Sequence, residues 1–209
     1  MTNITVDANL FRLIYTVALD ESTRPYLNAV QIEPHKKGGV VLVATDGHRM
    51  LVAHDPGGHA DAPALIQVTP AVLRASALSR KATRKGGVRT LEVKGGNATV
   101  KDERGDVLSA CGDVINPGFF PDWRRVSPQI PASGATLGYY APAYVEEFCK
   151  VGVALGAAAI SFYSHEAGGP ALVRFFGPDN TQCSRVFGVL MPMTAGKKNG
   201  AAFPDFMAD

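Results

Sequence analysis

Apolar residues along this chain recur at two spacings, and the two alternate in a fixed order. A short alternating stretch ends at Val6, after which Leu10, Leu13, Ile14 and Val17 mark one face of a helix. Three strand-like runs follow: NAVQIEP from Asn28, GVVLVAT ending at Thr45, and RMLVAH from Arg49. The order then returns. A short helix is predicted from Pro70 to about Ser79, with VRTLEV, NATVKD and DVLSACG behind it. A third helix carries Tyr144, Val145, Phe148 and Cys149, and leads into AAAISFYS, ALVRFF and SRVFGVLMPM.

The chain is therefore one module written three times: strand, helix, three strands. Val6 to Leu13, Val68 to Ala75 and Tyr140 to Glu147 are the matching entry points. Asp7 and Thr69 are placed to accept from free amides of the first helical turn, and Pro70 and Pro142 suit the first helical position. Ala141 stands where the third cap belongs, which predicts a weaker start there. The pattern is α+β.

The stretch VATDGHRML, Val43 to Leu51, joins two of the strands. Asp46-Gly47 predicts a two-residue type I′ turn, since that turn needs positive φ at both centres. The turn does not account for His48, Arg49 and Met50 directly after it. Between the second and third modules, NPGFFPDWRRVSPQIPASG holds four prolines and reads as an extended connection packed by Phe119, Phe120 and Trp123. The closing TAGKKNGAAFPDFMAD reads as a mobile tail.

Composition narrows the function. The chain has 209 residues, 46% hydrophobic, enough for real cores without staples. A net charge of +2 leaves any affinity for nucleic acid or membrane to local clusters. Cys111, Cys149 and Cys183 have no metal or disulfide spacing and read as small buried hydrophobes in a reducing cytoplasm. The first residues lack a signal-peptide layout, and no run is long enough to span a bilayer. No nucleophile-and-base string occurs, and His35, His54, His59 and His165 are scattered, so neither catalysis nor a cofactor is expected.

Four strings taken together, RPYLN (Arg24 to Asn28), VATDGHRM, FPDWRRV (Phe120 to Val126) and GVLMPM (Gly188 to Met193), resemble the β subunit of bacterial DNA polymerase III, the sliding clamp, in letters, spacing and order. Residues 3 to about 128 resemble the whole middle domain of that family, and 136 to 193 the second half of its last domain. The resemblance implies a DNA-clamp-like fold of one full domain and one half domain. The divisions are 1–128 (modules 3–54 and 64–112, closing loop 113–128), a linker 129–135, a half domain 136–193 and the tail 194–209.

It also implies a pocket for short linear peptides of replication or repair proteins, lined by Leu27, Thr45, Gly47, His48, Arg49, Met50, Pro121, Arg125, Val126, Val189, Leu190, Met191, Pro192 and Met193. Leu, Val, Met and Pro would make an adaptable floor, with Arg49, Arg125 and His48 as rim donors. The reading is a reduced clamp of phage, prophage or plasmid origin that competes for or recruits replication partners. An alternative is a ring of several chains around duplex DNA, with Arg24, Arg80, Lys81, Arg84 and Lys85 as phosphate contacts. Another is a regulatory homologue whose own Phe203, Pro204 and Phe206 plug the pocket. An unpaired third module would leave strand edges and a helix flank in water, so homo-oligomers are expected, most simply a two-fold dimer through the third modules.

Overall fold

The computed structural model describes residues 2–18, 23–78, 87–127, 138–164, 169–179 and 181–193. The linker 129–135, the tail with Phe203, Pro204 and Phe206, His165, and the basic cluster Arg80, Lys81, Arg84 and Lys85 lie outside them.

The first two modules form as their periodicity indicates; the third has its helix and the three strands after it, but no strand precedes that helix among the described residues. The first runs β1 (Asn3–Asp7), α1 (Ala8–Tyr15), β2 (Val30–Pro34), β3 (Val40–Thr45) and β4 (Arg49–Asp55). After a two-residue β5 (His59–Ala60), the second runs β6 (Ala64–Ile66), α2 (Pro70–Ser76), β7 (Thr90–Lys94), β8 (Asn97–Lys101) and β9 (Val107–Cys111). Another two-residue strand, β10 (Ile115–Asn116), precedes the third: α3 (Pro142–Ala154), β11 (Ala159–Ser164), β12 (Ala171–Phe176) and β13 (Gln182–Leu190).

Helix starts differ from one another for physical reasons. Asp7 caps α1, its carboxylate accepting the Leu10 N–H at 3.0 Å. Thr69 makes no side-chain cap, contrary to expectation; Pro70 alone opens α2. α3 also starts uncapped at Ala141, yet it is the longest helix among the described residues, because Phe148, Val151 and Gly152 are buried along it.

Strand pairing explains how the modules close. β1, the first strand of module one, pairs with β7, the strand after the helix of module two. β6, the first strand of module two, pairs in return with β2, the strand after the helix of module one. This exchange gives two antiparallel sheets, β5-β1-β7-β8-β9 and β10-β6-β2-β3-β4. Module three then extends the second sheet, because β13 pairs antiparallel with β4 and carries β12 and β11 beyond it.

The third module is thus less exposed than the sequence suggests. One edge is spent on β4, and Phe148 and Val151 of α3 join the core made by α1 and both sheets. Phe148 is admitted by Gly188: a Cβ there would sit 2.3 Å from the Phe148 ring. A second, smaller core lies on the opposite face of the long sheet, from Leu27, Val41, Val43, Met50, Val52, Leu65, Phe120 and Val189. Phe120 and Trp123 of the connection pack there, but Phe119 is 87% exposed, so only part of that aromatic cluster is structural. The cysteines are not buried hydrophobes either: Cys149 is exposed and the other two are half-buried.

Gly188→Ala is expected to push Phe148 off β13 and cost about 1–3 kcal/mol, the usual penalty for overpacking. Thermal unfolding measures it, and a melting temperature equal to that of the parent chain would contradict the packing described.

Candidate functional site

The loop between β3 and β4 is built around Asp46. Its Oδ1 accepts the N–H groups of His48 at 2.9 Å and Arg49 at 3.0 Å. Thr45 Oγ1 accepts from the Gly47 N–H at 3.0 Å and donates to the Arg49 carbonyl at 2.7 Å. The pairing of Thr45 with Met50 makes this a four-residue loop rather than the expected two-residue type I′ turn. Only Gly47 takes a positive φ, +90°. A carboxylate that accepts two backbone amides in a local turn outweighs the left-handed conformation the shorter turn would ask of Asp46.

That geometry projects the side chains that follow. Arg49 is largely buried; its Nε donates to Asp46 at 3.1 Å and its Nη1 to Glu147 of α3 at 2.7 Å. Its guanidinium lies 4.7 Å from the ring centre of Tyr144, also on α3. Arg49 therefore fastens the hairpin of module one to the helix of module three. Arg49, expected in the sequence as a rim donor, has this holding role and also borders the cavity described below. Neither Tyr144 nor Glu147 was picked out in the sequence as a site residue.

Behind the hairpin, β13 brings the far end of the chain to the same place. Val189 lies opposite Met50 and Leu190 opposite Arg49, and the Met191 N–H donates to the His48 carbonyl at 3.0 Å. Period two sends Val189 to the small outer core and Leu190, fully buried, to the helix side. Leu190 is therefore a core residue and does not line the site.

Leu27, Thr45, Gly47, His48, Arg49, Met50, Pro121, Val126, Val189 and Met191 surround one cavity of about 300 Å³, together with Arg24 and Tyr26. Leu27, Met50 and Val189 are buried and form its floor, while Val126 and Met191 stand exposed as walls. Two 3₁₀ turns, Pro25–Leu27 and Trp123–Val126, deliver the remaining sides. Arg24, read in the sequence as a phosphate contact, sits beside Gly47 at this cavity. Tyr26 was missed, although it stands inside the RPYLN string. Arg125, Pro192 and Met193 are placed next to the cavity in sequence but not among its lining residues. The Met193 N–H is instead tied to the Tyr139 carbonyl at 2.7 Å.

Other hollows run along the helices. One of about 440 Å³ is lined by Asn9, Arg12, Glu146, Cys149, Lys150 and Val153. Burial lowers the affinity of the Arg12 guanidinium for its proton, and its Nε has no partner among the described residues. That hollow is flanked by long polar side chains on two helices. The site under β4 has an apolar floor and four converging segments, the form ligand pockets usually take.

No family model matches the chain, and no curated protein matches its sequence. Its structure is similar to solved bacterial sliding clamps. The Caulobacter crescentus β clamp superposes with a TM-score of 0.59 at 21% identity, over 92% of this chain and 65% of that one. The Pseudomonas aeruginosa clamp gives 0.62 at 16%, over 92% and 66%. The Helicobacter pylori clamp gives 0.65 at 14%, over 92% and 66%. The fold is that of the sliding clamp, and the chain spans about two thirds of the length of these structures.

The pairs Arg49–Glu147 and Arg49–Asp46 are expected to couple. Arg49→Ala should destabilise by about 1.5–3 kcal/mol, since it removes charge-assisted hydrogen bonds to Asp46 and Glu147. In a double-mutant cycle with Glu147→Gln, urea unfolding should give an interaction of at least about 0.5 kcal/mol. Simple additivity would show that this contact does not hold the hairpin to α3.

Proposed function

We propose that this chain is a clamp-like protein that captures short linear peptides from replication or repair proteins in the cavity between β4, β13 and the two 3₁₀ turns. The observation that carries the reading is convergence. Residues 24–27, 45–50, 121–126 and 189–191 are far apart in the sequence yet line one slot, with buried Leu27, Met50 and Val189 beneath it and Arg24 and His48 at its edge.

The chemistry suits an extended segment with large apolar side chains. Met50 and Met191 adapt their shape to whatever enters, and the exposed Val126 and Met191 present apolar surface that a bound peptide would cover. Cationic and imidazole groups at the edge suit a glutamine amide, a free carbonyl or an acidic flank. The site is open on the face away from the helices, so a peptide reaches it without disturbing the main core.

Sliding clamps of this fold have been solved with small molecules bound, the H. pylori protein with diflunisal and the Bartonella birtlesii protein with griselimycin. For this chain the reading is one of binding and not catalysis. Its partners are proteins that carry the peptide, in the cytoplasm, and the chain itself works as a homo-oligomer.

A fluorescent clamp-binding peptide, with a glutamine and two large apolar residues, is expected to bind saturably in fluorescence anisotropy. Met191→Ala removes an exposed wall without touching the core and should weaken binding about tenfold, or about 1.4 kcal/mol. Absence of saturable binding by the folded parent chain would end this reading.

A further inference from the structure

The segment after β10 crosses the outer face of the long sheet, the face on which the cavity opens. Phe120 is buried there in the small core with Leu27, Met50 and Val189, and Trp123 packs beside it. Phe119 takes the opposite course. It is 87% exposed, more than any other large apolar side chain among the described residues, and its ring pairs with no other aromatic ring among them. The sequence assigned Phe119 to packing, and packing does not account for it.

The backbone on both sides of Phe119 is held. Upstream, Asn116 Nδ2 donates to the Pro25 carbonyl at 2.8 Å, and its Oδ1 accepts the Gly118 N–H at 2.8 Å. Gly118 lies so close to Tyr26 that a Cβ there would stand 2.5 Å from the Tyr26 Cβ. Downstream, Phe120 is buried, and Asp122 accepts the Arg124 N–H at 3.2 Å as the 3₁₀ turn to Val126 begins. A single apolar side chain in water is common on a loose loop. This one is carried by an anchored backbone, between a glycine resting on Tyr26 and Pro121, and both Tyr26 and Pro121 line the cavity.

We propose that Phe119 extends the peptide slot beyond the cavity and packs against an aromatic side chain of the bound peptide, one lying outside the segment seated on Leu27, Met50 and Val189. The proposal rests on the reading of the cavity as a peptide site and deepens it, by naming a feature of the partner: its peptide is longer than a hollow of about 300 Å³ holds and carries an aromatic residue in its flank. Continuity favours this occupant. The exposed Val126 and Met191 already wall the slot with apolar surface, and Phe119 adds to it at the side where Tyr26 and Pro121 stand. An aromatic partner gains from ring-on-ring geometry as well as from burial, and the anchored backbone leaves little to order when it arrives.

Fluorescence anisotropy with three labelled peptides tests it: the core alone, with a glutamine and two large apolar residues; the core with a phenylalanine two residues before it; and the core with one two residues after it. One extended peptide is expected to bind the parent chain about fivefold more tightly than the core. Phe119→Ser, at an exposed position, should abolish that advantage while leaving affinity for the core within about twofold, and Phe119→Tyr should keep it, with circular dichroism confirming the fold. A core that binds while neither extension gains, or a gain that survives Phe119→Ser, overturns the proposal and leaves the peptide site standing. If none of the three peptides binds saturably, the reading of the cavity falls and the proposal with it.

Discussion

The antiparallel pairing of β4 with β13 is the contact on which the rest of the molecule depends. It joins the first module to the third across most of the chain length and makes one eight-stranded sheet of what would be two shorter ones. Such a pairing is costly to close, since the ends of a long segment must meet before its contacts reward them. Three groups of contacts offset that cost. Five residue pairs form in register, Phe148 settles against Gly188 on the helix face, and Arg49 bridges to Glu147 and Tyr144 at the edge.

The same pairing divides the labour between the faces of the sheet. Leu51, Ala53, Val186 and Leu190 point to the helices and join the main core; Met50, Val52 and Val189 point away into the smaller core, where Met50 and Val189 floor the cavity. A shift of one residue would exchange those sets, placing Leu190 in the slot and Val189 against α3. Site and core are thus specified by one register. The Met191 N–H bonded to the His48 carbonyl continues that register one step past the last strand, which fixes where the exposed wall of the cavity stands.

Much of this was legible in the sequence, and the failures have physical causes. Periodicity located all three modules, because alternation and helical spacing are properties of the segment itself. The four strings that resemble sliding clamps predicted that Met50, Pro121 and Met191 would meet, and they line one cavity. Leu190 was misassigned because a continuous apolar run, GVLMPM, does not reveal which face each residue takes until its neighbour strand is known. The bridging role of Arg49 escaped the sequence for a related reason: its partners Asp46, Glu147 and Tyr144 come from two modules, and only the three-dimensional joint brings them together. The turn at Asp46 followed local carboxylate chemistry that a dipeptide rule does not weigh.

Rigidity beneath and compliance above is the combination that a peptide slot needs. Met50 and Val189 of the floor belong to strands hydrogen-bonded on both sides, so they are positioned before any ligand arrives, and binding spends little on ordering them. The walls, Val126 on a short 3₁₀ turn and Met191 just past β13, are anchored by a few backbone bonds and end in exposed apolar side chains. Arg49 contributes by being withdrawn: with Nε on Asp46 and Nη1 on Glu147, it ties the hairpin to α3, while Arg24 and His48 stand at the edge of the cavity. The strength of the β4–β13 joint and the affinity of the slot are therefore linked through one side chain, which belongs to the first and only borders the second.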